Sequence, residues 1–280
     1  MLKHQRQFWD MPNRIVLLIG GYGSGKTYIG ALKSLYMSYL NSPVPGMYIS
    51  PSHQLATKTI IVTLKELCER AEIDYTYNQQ RSEFTFHNWG GTIWLGSGDK
   101  PDSLRGPNIG WAVIDEPFIQ KREVFEQMIA RVRHPEAKKS QIFLTGTPEQ
   151  LNWGFTLAND PKLDLGTIQA STLDNPHLPD DYKESLLQAY SEEQIDAYVH
   201  GKFVNLTQGR VYKDFDRDKH VVERPDLKNE GLPIGIGMDF NVDAMSSEVF
   251  YIGPNWIHVF DEVRLKNATT YDMVEELVKR

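Results

Sequence analysis

The chain of 280 residues has a single cysteine, Cys68, which excludes an internal disulfide framework and fits a reducing compartment. Cys68 falls in the apolar pattern of a helix, so its thiol is read as packing rather than as a reactive group. No apolar run approaches the roughly 20 residues that span a bilayer, and Met1-Leu2-Lys3-His4-Gln5-Arg6 opens the chain without an apolar signal core. No membrane partner is expected. Positive charge is also in short supply: the net charge is −7. Any nucleic acid must therefore meet a local basic surface rather than a basic protein. Internal repeats and low-complexity segments are missing as well. What is present is ordinary, 40% hydrophobic and 24% charged residues, enough for one large α/β domain plus part of a second.

One stretch stands out against that background. Gly20-Gly21-Tyr22-Gly23-Ser24-Gly25-Lys26-Thr27 fits G-x-x-x-x-G-K-[ST] at every fixed position. The apolar run Ile15–Ile19 precedes it, and a helix-compatible segment from Tyr28 to Leu40 follows. Strand, glycine loop and helix together make a phosphate cradle: the glycines let successive N–H groups point inward, and the helix N-terminus adds partial positive charge. Lys26 is expected to reach the β- and γ-phosphates of ATP, and the Thr27 hydroxyl to ligate Mg²⁺.

Upstream, Gln5-Arg6-Gln7-Phe8-Trp9 contains glutamines whose amides offer a donor and an acceptor to an adenine edge; a surface arm explains the same residues equally well. Downstream, Met47–Ser50 reads as a strand, and Gln54 to Ala71 as a helix with apolar residues near 3.6 spacing. The junction Ser50-Pro51-Ser52-His53-Gln54-Leu55-Ala56 could hold a phosphate of a nucleic-acid strand, cap the helix through Ser52, or do both. Phe84–His87 and Thr92–Leu95 flank Asn88-Trp89-Gly90-Gly91 as a β-hairpin, with Trp89 and Trp94 read as packing residues.

Ile109-Gly110-Trp111-Ala112-Val113-Ile114 is a buried strand that ends in Asp115-Glu116. Two adjacent carboxylates there are hard to explain by packing and suit a second ATPase motif. Asp115 is assigned to Mg²⁺, through its hydration shell, and Glu116 to the attacking water. A further strand, Gln141–Leu144, runs into Thr145-Gly146-Thr147-Pro148, whose hydroxyls can sense the γ-phosphate and couple its loss to motion. Lys121, Arg122, Arg131, Arg133, Lys138 and Lys139 form the densest basic stretch, a solvated face or a contact for a phosphate backbone.

With these motifs in order, the chain resembles the large terminase subunit of tailed bacteriophages, the ATP-driven motor that packages DNA into procapsids. The resemblance runs the whole length. It implies a P-loop NTPase of the α/β class, with a mostly parallel sheet flanked by helices and a catalytic glutamate, over residues 1–170. It implies a helical lid or linker over 171–231, and the start of an RNase H-like nuclease fold over 232–280. His4-Gln5-Arg6-Gln7-Phe8 resembles the family's adenine-contacting segment, which points to Gln5. Ser103-Leu104-Arg105-Gly106 resembles the segment that carries an arginine finger acting on a neighbouring subunit; Arg105 is taken as that finger, with Arg131 and Arg133 in reserve. Thr172–Pro179, Gly201-Lys202-Phe203 and Gly209-Arg210-Val211-Tyr212 match the lid and linker, and Asp181 to Val199 reads as helical.

From residue 232, Ile234–Phe240 begins a β-meander in which Asp239 matches the first metal-binding aspartate of the nuclease. Such sites take Mg²⁺ or Mn²⁺ between several carboxylates. Asp261 or Glu262 is a candidate second ligand, and Thr269 or Thr270 caps a last helix. Since the remaining acids lie beyond Arg280 in the family, the expectation here is a truncated or split product with exposed sheet edges and no robust endonuclease activity. The implied partners are double-stranded DNA, a portal protein, a small terminase subunit and further copies in a ring, in the cytoplasm of an infected bacterial host. The competing readings are a helicase-like DNA-dependent ATPase, a nucleotide-dependent assembly switch, and a non-catalytic assembly factor. No Asn-Lys-x-Asp guanine-reading pattern is present to support a switch.

Overall fold

The computed structural model describes residues 1–106, 108–148, 152–204, 215, 217–223, 231–240 and 244–279. It divides into two compact units, residues 1–209 and 210–280. The linker motif Gly209-Arg210-Val211-Tyr212 lies outside the described residues.

Unit one is built on an eight-stranded sheet. In chain order its elements are α1 (Lys3–Asp10), β1 (Ile15–Gly20), α2 (Lys26–Asn41), β2 (Gly46–Ser50), α3 (His53–Lys58), α4 (Ile60–Arg70), β3 (Tyr75–Asn78), β4 (Glu83–Phe86), β5 (Gly91–Ser97), β6 (Trp111–Asp115), α5 (Arg122–Arg131), β7 (Gln141–Gly146), α6 (Trp153–Ala158), β8 (Leu165–Ala170), α7 (Asp180–Ala189) and α8 (Glu192–Tyr198). The spatial order is β3-β4-β5-β2-β6-β7-β1-β8, parallel from β5 to β8 with an antiparallel hairpin extension at the β3 edge.

The central strands β1, β2, β6 and β7 are buried at every position because helices cover both faces. Alternation along each strand sends Val16, Leu18, Val113 and Phe143 toward Phe8, Ile29, Leu35 and Leu64 of α1, α2 and α4. The intervening residues Ile15, Leu17, Ala112, Ile142 and Leu144 pack against Val124, Phe125, Met128 and Leu157 of α5 and α6. Among the described residues, no helix is long and apolar enough to cross a membrane.

Trp111, fully buried, pairs in register with Gly46 on β2, and a Cβ at Gly46 would lie 1.9 Å from the indole. The ring thus occupies the space a side chain would take on the neighbouring strand. Trp111→Ala is expected to destabilise unit one by about 3–5 kcal/mol, read by denaturant unfolding; a loss under about 1 kcal/mol would mean the void collapses freely.

Several sequence expectations need correction. The segment read as one helix, Gln54 to Ala71, is broken at Thr59, whose φ of −121° and ψ of −86° are not helical. Its hydroxyl donates to the Leu55 carbonyl at 2.9 Å, and a β-branched run follows it, both of which favour a bend. Asp181 to Val199 likewise splits at Tyr190, where Ser191 caps α8 by accepting from the Gln194 N–H. The surface-arm alternative for the first residues fails: α1 places His4, Gln5 and Phe8 in the interior.

Unit two contains α9 (Arg217–His220), an antiparallel sheet of β9 (Ile234–Asp239), β10 (Met245–Ile252) and β11 (Ile257–Leu265) in the order β11-β10-β9, and α10 (Thr270–Val278). Met273 of α10 packs with Met245 and Val263 on one face of that sheet. Thr269 caps α10 through a reciprocal bond with Asp272. Among the described residues β9 and β11 are edge strands, and Ile234, Ile236, Ile257 and Val259 on them are exposed.

Candidate nucleotide site

The loop Gly20–Thr27 joins the C-terminal end of β1 to α2, and Gly25, at φ +84°, caps α2 without a side-chain bond. The orphan N–H groups of the first helical turn are therefore left to an anion. At Gly25 a side chain would also strike the Gln5 amide nitrogen at 2.6 Å. Buried Lys26 donates to the Gly20 and Gly21 carbonyls, 2.9 Å each. Burial pulls its pKa down, against the opposing pull of Glu116 and Asp115.

Three neighbouring strand ends bring the remaining groups to this loop. Strand β7 lies between β1 and β6, in register with both, so Thr145 stands beside Asp115. The Thr145 hydroxyl donates to Asp115 Oδ1 at 2.8 Å, and the Thr27 hydroxyl lies 3.5 Å from Asp115 Oδ2. Burial raises the Asp115 pKa; the Thr145 bond, Lys26, Tyr48 and Thr27 oppose that rise, in that order. Tyr48, on the adjacent strand β2, has its own pKa pushed well up, first by burial and then by Asp115.

Glu116 follows at φ +46°, left-handed geometry that is costly for a non-glycine residue and recurs at functional sites. Its N–H donates to the Thr145 carbonyl at 2.7 Å, and its Oε2 accepts from the Thr147 N–H at 2.9 Å. Thr145-Gly146-Thr147 is thereby bonded to both acids. The sequence motif marked the segment; these two bonds define what it touches.

Gln5 lies against the glycine loop. Its Oε1 accepts from the Leu2 N–H at 2.9 Å and its Nε2 donates to the Gly25 carbonyl at 3.1 Å, while His4 Nε2 lies 2.8 Å from the Ser24 carbonyl oxygen.

Arg105 is elsewhere. It follows the 3₁₀ turn Pro101–Leu104 beyond β5, is largely exposed, and pairs with Asp102 at 2.9 Å. Four strand spacings, roughly 19 Å, separate β5, the strand that leads into this turn, from β1.

The basic stretch does not form one surface. Lys121 and Arg122 stand near the Asp115 end of the sheet, whereas Arg131, Arg133, Lys138 and Lys139 follow α5 back to the opposite end, where β7 begins. Arg122 pairs with Glu126, and Arg133 Nε donates to Asn108. At the β2–α3 junction the Ser50 hydroxyl is buried, so a strand of nucleic acid cannot reach it, and Ser52 is the N-cap of α3.

Sequence reasoning missed the clamp on the loop. The Thr172 hydroxyl donates to the Tyr22 carbonyl and Asn175 Nδ2 to the Gly23 carbonyl, both at 2.7 Å. The Tyr22 N–H donates to the Tyr198 carbonyl at 2.7 Å, and the two tyrosine rings stack 4.8 Å apart. Polar residues in Thr172-Leu173-Asp174-Asn175 ahead of a proline signal a turn, and nothing local says what the turn will touch.

On unit two, Asp239 ends β9 and is opposite Ser246, while Gly237 is opposite Glu248 and Glu248 opposite Glu262. Asp239, Glu248 and Glu262 therefore share one face of the sheet, and Asp261, opposite Val249, lies on the other. Among the described residues no group of three or more His, Cys, Asp and Glu is close enough to hold a metal ion.

The glycine loop, the acid-tipped strand β6 and the strand β7 inserted between it and β1 define a P-loop NTPase fold. A family profile described as terminase large subunit, T4likevirus-type, N-terminal, matches residues 17–219, and the chain belongs to that family. The PBSX phage terminase large subunit of Bacillus subtilis (strain 168) is 25% identical over 93% of this chain; the chain spans 66% of that relative's length. Among solved structures, the large terminase of a thermophilic bacteriophage, in complex with ADP, has a TM-score of 0.66 at 17% identity, covering 99% of this chain and 73% of that one. The large terminase ATPase domain of Thermus phage P74-26 has a TM-score of 0.54 at 15% identity, covering 71% of this chain and 92% of its own.

Proposed function

We propose that the chain hydrolyses ATP and couples each cycle to movement of double-stranded DNA into a viral procapsid, working as a ring with a portal protein and a small terminase subunit in the cytoplasm of an infected bacterial host. The observation that carries this is the pair of bonds from Thr145 and Thr147 to Asp115 and Glu116, which ties the hydrolytic acids to one strand end. The hydroxyl of Thr27 and the carboxylate of Asp115 are hard oxygen donors beside the phosphate loop and suit Mg²⁺, which would neutralise phosphate charge there.

In this reading Gly20, Gly21, Tyr22, Gly23, Ser24 and Gly25 wrap the phosphates and Lys26 pairs with their charge. Gln5 meets adenine, and Glu116 accepts the proton of the attacking water. The clamp from Thr172, Asn175 and Tyr198 makes residues 171–204 a lid that feels the loop directly. Asp239 is kept as the first carboxylate of a nuclease site, with Glu248 and Glu262 rather than Asp261 beside it.

The test is ATP turnover per molecule against protein concentration, with and without duplex DNA. We expect specific activity to climb with concentration and Arg105→Ala to lower it by roughly 10³-fold or more in the assembled ring, the range measured for arginine fingers. Flat turnover that ignores Arg105→Ala would point to a self-sufficient, helicase-like site.

A further inference from the structure

Lys33 is the one buried ammonium in unit one, among the described residues, that the mechanism above leaves without a role. It stands on α2 seven residues after Lys26, close to two helical turns, and so on the same face of the P-loop helix. Only 1% of it is exposed. Its Nζ donates to the Phe8 carbonyl at 2.7 Å and to the Trp9 carbonyl at 2.9 Å, the C-terminal end of α1. It also sits between two aromatic faces, 5.0 Å from the Phe8 ring and 4.4 Å from the Phe143 ring.

Three elements of the nucleotide site therefore converge on one atom. Helix α1 carries His4 and Gln5, which hold the Ser24 and Gly25 carbonyls of the loop. Helix α2 carries Lys26 and Thr27. Strand β7 carries Phe143 two residues before Thr145.

A cation at the end of α1 is favourable, because it complements the dipole and satisfies carbonyls that a helix leaves unpaired. The position is costly in other respects. Burial first and Lys139 second pull the Lys33 pKa down to about 7, against the opposing effect of Asp10 at the end of α1. A methionine would fill the same space with no ammonium to desolvate. What only the lysine supplies is a pair of donors aimed at α1.

We propose that Lys33 is a positioning residue for nucleobase recognition, locking α1 onto the P-loop helix so that Gln5 is held against the loop and presented to adenine. The proposal rests on the ATP-binding reading above. It concerns α1 rather than the chemistry, so it is tested by binding rather than by turnover.

The experiment titrates a fluorescent ATP analogue and its GTP counterpart into wild type, Lys33→Met, Gln5→Ala and the double variant, with melting curves alongside. Lys33→Met is expected to fold, to bind the ATP analogue about tenfold more weakly and to lose preference for it over the GTP analogue; the double variant should be no worse than Gln5→Ala alone. If Lys33→Met does not fold, Lys33→Gln keeps a donor group, an amide NH₂ on a shorter, uncharged side chain, and should show a smaller loss of the same kind. Unchanged affinity and base preference in a folded variant, or losses that simply add to those of Gln5→Ala, overturn the proposal. Failure of both variants to fold also overturns it, because Lys33 would then be a packing residue alone. A wild type that binds neither nucleotide instead refutes the ATP reading, a result distinct from all of these.

Discussion

Glu116→Gln should bind ATP with near wild-type affinity and hydrolyse it roughly 10²–10⁴-fold more slowly, the usual contribution of a general base. The substitution keeps the side-chain oxygen that accepts from the Thr147 N–H and leaves the backbone bond to the Thr145 carbonyl in place. The loop and the Lys26 ammonium are untouched. What it removes is the carboxylate's ability to take a proton from water as the phosphoryl group is attacked. Nucleotide titration and phosphate release on the same preparation separate the two effects. Collapse of ATP affinity, or a rate within twofold of wild type, would refute the role assigned to Glu116.

The second large effect concerns Lys26. Lys26→Met is expected to weaken ATP binding by about 10²–10³-fold, since truncating one member of a buried, hydrogen-bonded charge pair costs about 2–5 kcal/mol. Turnover should fall with it. The fold should survive, for a reason visible in the ammonium itself. Burial lowers its pKa below 10.5, so between the lowered value and 10.5 the unfolded chain binds the proton more readily than the folded one. Stability contributed at this residue therefore rises with pH across that window, and the penalty is fully present below it. The variant loses that penalty. Its melting midpoint at neutral pH should match or exceed that of wild type, with a shallower rise toward alkaline pH. A midpoint several degrees lower would mean that Lys26 holds the loop together through the Gly20 and Gly21 carbonyls, and loss of binding could then be indirect.

The parts of the site that could be read in advance are the local ones. Gly20–Thr27 declares itself because only glycine accepts the backbone turns of a phosphate loop next to a helix start. Asp115-Glu116 declares itself because two acids at the end of an apolar strand have no packing use. The continuous apolar runs of β1, β6 and β7 likewise announce strands covered on both faces. Breaks within helices were harder. The bend at Thr59 depends on a hydroxyl competing for its own helix's carbonyl, and apolar periodicity continues across it. The split at Tyr190 was in principle readable, since Ser191-Glu192-Glu193-Gln194 is a capping box.

The amino-acid sequence alone thus marked the candidate nucleotide site: the glycine loop, Asp115, Glu116 and the Thr145-Gly146-Thr147 segment all lie in short contiguous motifs whose residue types follow from backbone geometry and charge. Tertiary structure decided everything that depends on which elements meet. It placed α1 so that Gln5 touches Gly25, and set Thr172 and Asn175 on the loop carbonyls roughly 150 residues away in sequence. It set β5, the strand that leads to Arg105, apart from β1 in the sheet, with β2, β6 and β7 between them. On the smaller sheet, adjacent Asp261 and Glu262 must point to opposite faces in any strand, but only the pairing of Glu248 with Glu262 reveals which of them stands with Asp239. The physical reason is the same throughout: chemistry is carried by residue type and local conformation, whereas contact between distant segments is set by register and burial, which no single stretch of sequence contains.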